Sequence, residues 1–244
     1  MLKRVALSFF CLFFTMAATA QEAPTLYTYA AHWEVPRASW GTFTTDNGAN
    51  AALDRLVADG TLVWWSNIER FVHSVEGTTH GTMWAATSLA GIEQTLDELA
   101  KLPPGPDIAG MKHHDHLWRS LVHGGRSADQ SGGYLWMTID VVEPGRGGDW
   151  LKVQKKYYEP VYKKLVADGT ILTYDISRAY VHANNPRSRY TFIVTADADA
   201  DAKLDAALTA VRQENAPAII SARQTAVRPE HRDVLFHLSK FKHK

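Results

Sequence analysis

The sequence contains a single cysteine, Cys11, and this residue lies within an apolar stretch near the N-terminus of the 244-residue chain. One thiol cannot form an intramolecular disulfide, and it cannot build a metal site from paired cysteines. The chain also lacks a glycine-rich phosphate loop, a Gly-x-Ser-x-Gly nucleophile elbow and a His-Glu-x-x-His zinc motif. These absences remove the usual sequence signatures of nucleotide-binding proteins, α/β-hydrolases and zinc proteases.

Residues 1–20 have the pattern of a secretory signal peptide. Basic Lys3 and Arg4 precede an apolar run over residues 5–16, and Ala18-Thr19-Ala20 follows as a small-x-small cleavage site. The apolar run is too short to stay in a bilayer as a membrane-spanning helix. We therefore expect cleavage after Ala20 and an exported protein, periplasmic or secreted, with no cysteine left.

The chain also has no excess of charge of one sign. Without Lys3 and Arg4, the 26 basic residues of the whole chain fall to 24, against 26 acidic residues. This balance argues against a nucleic acid or an anionic membrane as the main partner. No apolar run after residue 20 is long enough for a transmembrane helix.

The hexapeptide Leu-Val-Ala-Asp-Gly-Thr is present twice, at residues 56–61 and 165–170, a spacing of 109 positions. The two copies align without a gap over residues 56–74 and 165–183, where 8 of 19 positions are identical. In both copies the glycine is placed to end a helix before a strand begins. Self-similarity at this period indicates that the chain contains two copies of one structural unit.

Each half has the predicted element order β-α-β-β-α-β. The first repeat, residues 25–123, has predicted strands over 26–35, 61–74, 81–87 and 113–122, and helices over 39–59 and 92–102. The second repeat, residues 134–244, has predicted strands over 134–142, 170–183 and 190–195, a last strand within 222–238, and helices over 149–168 and 198–213. Residues 124–133, rich in glycine and polar side chains, are predicted to be a linker.

A β-α-β-β-α-β unit is the ferredoxin-like split βαβ motif, a four-stranded antiparallel sheet with both helices on one face. The other face of such a sheet is bare and must pack on something. A tandem copy supplies this cover within one chain. The sequence therefore predicts an α+β protein in which two ferredoxin-like sheets pack face to face as a pseudo-dimeric barrel.

The passage from Tyr157 to Ile171, with its copy from Leu53 to Trp65, resembles the dimeric α/β-barrel superfamily, in particular its exported and largely uncharacterised bacterial members. The resemblance covers nearly all of the chain after the signal segment, but it is one of pattern. The superfamily includes small cofactor-free monooxygenases, haem-binding enzymes, isomerases and proteins with no known chemistry. The resemblance thus implies a barrel fold, and it leaves activity and cofactor unknown.

Alternation along the first strand of each half predicts which side chains face the barrel. At an offset of 108 residues, His32 and Asp140 occupy equivalent places, and both are predicted to face the barrel, whereas Met137 is predicted to face the helices. A histidine and a carboxylate at one cavity could act as a catalytic acid–base pair. The alternative is a buried polar contact that ties the two sheets together.

The first half is rich in tryptophan, and it has Gly48 and Ala49 where the second half has Tyr157 and Tyr158. Small side chains leave room, so we expect a small-molecule pocket between the helices and the sheet of the first half. The residues predicted to line this pocket and bind the ligand are Trp33, Trp64 and Trp65. The alternative is ordinary packing of the core.

Two further features involve histidine. His73 and His182 are equivalent in the two copies, so they are candidates for binding opposite ends of a ligand. The alternatives are that the pair binds one metal ion, although two histidines are too few for a closed site, or that both residues hydrogen-bond a hairpin. His113, His114 and His116 alternate along one strand and cannot all converge, so a solvated edge strand explains them better than a metal site. No metal site is predicted.

The sequence thus favours an exported protein that binds a small apolar or aromatic molecule. Two alternatives stay open. The first is a cofactor-free monooxygenase, or a haem- or metal-dependent oxidoreductase, of the same superfamily. The second is a structural or partner-binding module. The ligand, the cofactor and the formation of a homo-oligomer are not determined by the sequence.

Overall fold

The computed structural model describes residues 24–40, 43, 48–72, 77–103, 111–181 and 186–244. In this part of the chain, eight antiparallel strands close into a barrel and five helices pack against its outer surface, so the fold is α+β as predicted. The predicted signal segment, His73 and His182 lie outside the described residues.

The strands are β1 (Tyr27–Glu34), β2 (Trp64–Arg70), β3 (His80–Ala86), β4 (Lys112–Gly125), β5 (Ala128–Gln130), β6 (Tyr134–Val142), β7 (Ile171–Ala179), β8 (Ser188–Thr195) and β9 (Val227–His243). The helices are α1 (Ala49–Asp59), α2 (Leu89–Ala100), α3 (Gly147–Val153), α4 (Glu159–Ala167), α5 (Ala198–Glu214) and α6 (Ala216–Ala226). A π-helical turn (Gln154–Tyr158) joins α3 to α4 in one continuous helix.

The barrel has the strand order β2-β3-β1-β4-β7-β8-β6-β9, and β9 pairs back with β2. The order β2-β3-β1-β4 in the first half is the same as β7-β8-β6-β9 in the second. The halves meet at two seams, where Trp118 is opposite Ala179 and Trp64 is opposite His243. Closure leaves the eight barrel strands paired on both sides, which removes exposed sheet edges from the barrel.

The two hexapeptide copies form the same local structure. Gly60 and Gly169 have φ values of 87° and 86°, a left-handed conformation that glycine adopts without a steric penalty. The preceding aspartates accept hydrogen bonds from the backbone N–H two residues ahead, at 2.9 Å from Thr61 and 3.0 Å from Thr170. The hexapeptide is therefore a helix stop followed by a turn into a strand, at both places.

Three apolar clusters hold the fold together. One fills the barrel interior with side chains from both halves, including Trp64, Trp118 and Phe236. The other two lie between the sheet and the helices. That of the second half includes Trp150 and Tyr162, and that of the first half is filled by large rings and branched side chains that include Trp33, Leu53, Trp65 and Trp84.

Several predicted elements differ from the structure. Residues 124–133 are not a free linker, because β4 continues to Gly125 and β5 pairs with β9. Helix α6 was not predicted. Pro229 lies within β9 rather than breaking it, next to a register shift where Asp140 pairs with His231 and Val142 pairs with Val227. Such a bulge accommodates a residue that has no N–H to donate.

Among the described residues, no helix has both the length and the apolar character that crossing a membrane would require.

Candidate functional site

A pocket of about 280 Å³ lies between the outer face of the sheet and the helices of the second half. Strands β6, β8 and β9 form its floor, and the π-helical turn, α4, α5 and α6 form its walls. The floor residues alternate along their strands, as in Trp136, Thr138 and Asp140, because successive side chains of a strand point to opposite faces. Small-molecule sites have this position and begin at about this size.

Helix α5 contributes one face to the pocket. Its lining residues are spaced three or four apart, which places them on one side of a helix, and they are Asp201, Leu204, Asp205, Leu208 and Arg212. Asp197 caps the start of this helix by accepting a hydrogen bond from the Ala200 N–H at 2.8 Å. The alanines on the rest of α5 keep it helical without adding bulk.

The opposite wall comes from the π-helical turn. Gln154, Tyr158 and Tyr162 are spaced four apart, and all three line the pocket. A π-helical turn inserts one residue into a helix and changes which side chains share a face, and such turns are often found at functional sites. The rings of Tyr158 and Tyr162 lie in a stacked arrangement with their centroids 6.4 Å apart.

Four buried polar side chains of the pocket have no protein partner. They are Gln154, Tyr158, Tyr162 and Thr191, each exposed by 7 % or less. Within the part of the chain that the structure describes, their amide and hydroxyl groups make no hydrogen bond. None of their polar atoms is among the fully enclosed groups that lack a partner, so the open cavity offers them to a ligand as donors and acceptors. Burial raises the pKa of the Tyr162 hydroxyl above its ordinary value, so this group stays protonated and can donate.

Asp140 lies at the inner end of the pocket, and each of its two carboxylate oxygens accepts a hydrogen bond. It is 2 % exposed, and its carboxylate accepts one hydrogen bond from Trp150 Nε1 at 2.8 Å and another from Arg223 Nη2 at 3.0 Å. Arg223 is partly exposed and connects this pair to the solvent. Asp140 therefore orients α3 and α6 against the sheet.

The remaining charges around the pocket are mostly acidic. Asp201 accepts a hydrogen bond from Trp136 Nε1, and Asp233 accepts one from Thr138 Oγ1 at 2.7 Å. Asp205 and Arg212 complete the charged lining. With Asp140 paired to Arg223, three carboxylates face one guanidinium, which favours a neutral or cationic ligand over an anion.

The prediction that His32 and Asp140 share a cavity is wrong. His32 faces the barrel, where its ring lies 6.4 Å from that of Phe236, whereas Asp140 faces the helices. In β6 it is Met137 that faces the barrel interior. The offset of 108 residues used to align the first strands of the two halves was wrong by one residue. A shift of one residue moves every side chain to the other face of a strand.

The three tryptophans predicted to line a pocket do not converge. Trp33 and Trp65 belong to the helix–sheet core of the first half, where Trp65 Nε1 donates to Asp54 Oδ1 at 3.0 Å, and Trp64 lies in the barrel interior. The large rings that suggested walls for a pocket fill the cleft of the first half. The pocket between helices and sheet described above is in the second half.

Two histidines of β4 lie beside carboxylates. His113 Nε2 lies 3.0 Å from an Asp115 oxygen, and His114 Nε2 lies 3.5 Å from a Glu34 oxygen on the neighbouring strand. Among the described residues, no group of three or more histidine, cysteine, aspartate or glutamate side chains is arranged to hold a metal ion.

Solved structures show what this fold is similar to. A candidate monooxygenase from Fusobacterium nucleatum has a TM-score of 0.62 and 10% identity, over 92% of this chain and 96% of that one. A candidate monooxygenase from Lactobacillus acidophilus has a TM-score of 0.62 and 9% identity, over 90% and 96%. A chlorite dismutase from Candidatus Nitrospira defluvii is less similar, with a TM-score of 0.47 and 10% identity over 90% and 92%.

No protein-family model matches the sequence. No curated protein sequence matches it. At about 10% identity, the structural likeness shows the fold alone. That fold is an antiparallel barrel of eight strands with helices on its outer surface, formed within a single chain.

Proposed function

We propose that this protein binds a small aromatic molecule in the pocket between the helices and the sheet of its second half. The observation that carries the proposal is the set of four polar side chains that line the pocket and that a ligand can reach, Gln154, Tyr158, Tyr162 and Thr191. They supply donors and acceptors, and Trp136, Ile193 and Leu204 supply apolar surface. A pocket with apolar walls and a few convergent polar groups is typical of small-molecule sites.

The charges of the pocket narrow the class of ligand. Asp201, Asp205 and Asp233 outnumber Arg212 once Asp140 is paired with Arg223. Aromatic rings with carboxylates nearby also attract organic cations through their π faces. The ligand is therefore a phenol, or an aromatic amine that carries a positive charge.

The proposal extends to the origin and location of the protein. The equal strand order of the two halves and the matching hexapeptide turns support two tandem ferredoxin-like repeats, the second of which holds the pocket. Residues 1–20 begin with basic side chains, continue with an apolar run and end in small residues, and this pattern supports export of the chain.

The binding proposal is tested by titrating tyramine and 2-naphthol into the protein and following tryptophan fluorescence and calorimetric heat. We expect saturable binding of both. The Tyr162→Phe variant removes one hydroxyl and should weaken binding of tyramine about tenfold, which is the effect of one hydrogen bond in a buried site. Tyr157→Phe is the matched control, because Tyr157 does not line this pocket. The absence of saturable binding, or equal affinity in both variants, contradicts the proposal.

A second candidate function is an oxygenase that acts on the same aromatic ligand. Its support is that two structures with the same fold are described as candidate monooxygenases. Within such a site, Gln154 and Tyr158 would orient the phenol, and the closed floor of the sheet would exclude water. The test is oxygen consumption by purified protein with 2-naphthol. Consumption lost in Tyr162→Phe but kept in Tyr157→Phe supports it, and no consumption removes it.

The pocket does not fit haem. Its lining contains no histidine, cysteine or methionine that could bind the iron, and burial keeps the Tyr162 hydroxyl protonated by raising its pKa. Its volume, about 280 Å³, is also at the small end for a ligand pocket of any kind.

A further inference from the structure

A second cavity, of about 320 Å³, lies at one end of the barrel interior, on the other side of the sheet from the pocket described above. Residues from both halves line it. Trp118, Met137, Tyr190 and Phe236 form an apolar inner part. A cavity of about 150 Å³ is already enough for a benzene ring, so this one has room for a ring with substituents.

His32 lies in the wall of this cavity. It is 3 % exposed, and its Nε2 atom has no hydrogen-bond partner among the described residues. Burial, with smaller contributions from His116, His114 and His113, lowers the pKa of His32 to about 3, so the ring is neutral at physiological pH. A neutral imidazole nitrogen in an apolar wall offers one hydrogen bond to a ligand.

The cavity mouth is positively charged. A Cβ atom placed on Gly77 would lie 3.5 Å from Arg70 Nη1 and 4.0 Å from Arg232 Nη2, so the two guanidinium groups converge on the same turn. The carboxylate at the mouth, Glu34, is already engaged by Lys112 at 3.2 Å and by His114 at 3.5 Å. Arg70 donates to the Thr78 carbonyl at 3.4 Å, so Arg232 is the guanidinium that binds an anion here, and carboxylate is the group that its fork geometry fits best.

We propose that the barrel end is a second binding site, which takes a small aromatic carboxylate with a polar substituent on its ring. The carboxylate binds Arg232 at the mouth, the ring lies against Trp118 and Phe236, and the substituent hydrogen-bonds His32 Nε2. This site is separate from the pocket of the proposed function in position and in charge.

The experiment compares two probes of similar size, 4-hydroxybenzoate and 4-hydroxybenzyl alcohol, by calorimetry at neutral pH. We expect the carboxylate to bind at least about tenfold more tightly than the alcohol, because a charge-assisted hydrogen bond is stronger than a neutral one. Arg232→Gln should remove this preference. Arg232 is exposed, so its replacement should leave the fold intact. The matched control is Arg228→Gln, because Arg228 lies on the same strand, pairs with Glu143 and does not line the cavity.

A further variant, His32→Phe, removes the ring nitrogen that the substituent would bind and should weaken binding of 4-hydroxybenzoate, with circular dichroism confirming the fold. Tyr162→Phe should leave the binding of 4-hydroxybenzoate unchanged, because it alters the pocket on the other side of the sheet. Equal affinity for the two probes, no binding of either, or an Arg232→Gln variant that binds like the wild type overturns the inference.

Discussion

Tyr180 packs the edge of its ring against Tyr27, with the centroids 5.4 Å apart and the planes at 87°. Phe71 meets Tyr134 in the same way, at 5.6 Å and 85°. Each pair joins the end of a strand in one half to the first strand of the other half. The two seams of the barrel are therefore each closed by an aromatic pair of the same geometry.

Loss of one ring at a seam should weaken the barrel. We expect Tyr180→Ala and Phe71→Ala each to lower the free energy of unfolding by about 1–2 kcal/mol, from the lost ring contact and the apolar area it covers. Because the two seams are distant, the effects should add in the double variant. Urea denaturation measures this, with Val181→Ala as the control at an exposed apolar position. Ring variants no less stable than the control would show that the seams do not depend on these pairs.

Replacement of Asp140 should be more costly than replacement of its partner. Asp140→Ala leaves the buried Trp150 N–H without an acceptor, so we expect a loss of about 2–3 kcal/mol. Arg223 is partly exposed, and Arg223→Ala should cost about 1 kcal/mol or less. Both values follow from chemical denaturation at neutral pH. Equal losses would mean that the ion pair, rather than the indole hydrogen bond, holds α3 and α6 in place.

His32 should make the fold sensitive to acid. Its pKa is about 3 in the folded protein and about 6.5 in the unfolded chain, so the unfolded state binds more protons between these values. Its contribution to stability is present above pH 6.5 and is lost as the pH falls through this window, by about 2 kcal/mol between pH 6.5 and 5. In the His32→Gln variant this part of the acid sensitivity should disappear. Parallel stability curves for variant and wild type would contradict the prediction.

Asp175 should act in the opposite direction. This barrel carboxyl group is 2 % exposed, and burial raises its pKa to about 7, against hydrogen bonds from Ser120 and Thr28 that lower it. The folded state therefore holds the proton between pH 4 and 7, and stability falls as the pH rises through that range. Asp175→Asn cannot ionise, so its stability relative to the wild type should be greater at pH 8 than at pH 5. Denaturation at the two pH values tests this sign.

The fold could be predicted from the sequence because local signals were strong. The hexapeptides around Gly60 and Gly169 fix where two helices end, and the β-rich segments between turns give the strand order. Helix α6 was missed, since its Pro217 resembles a helix breaker, although proline is well tolerated in the first turn of a helix.

The site could be predicted only in part. The face of β1 was assigned correctly, with His32 toward the barrel, but the one-residue error in β6 moved Asp140 to the wrong side. The π-helical turn at Gln154 could not be predicted, because one inserted residue hardly changes the apolar spacing of a helix. The pocket that Tyr158 and Tyr162 line becomes visible only when tertiary neighbours are known.

The pairing of β9 with β2 has a consequence for how the chain folds. In β9, Phe241 lies opposite Ser66 and His243 opposite Trp64, so the ring of strands stays open until β9 has paired with β2. Until then β2 and β6 each lack a neighbour, and such unpaired edges invite association with other chains. Loss of β9 from residue 241 onward would leave β2 unpaired on one side over residues 64–66, and the opened barrel would be prone to aggregate.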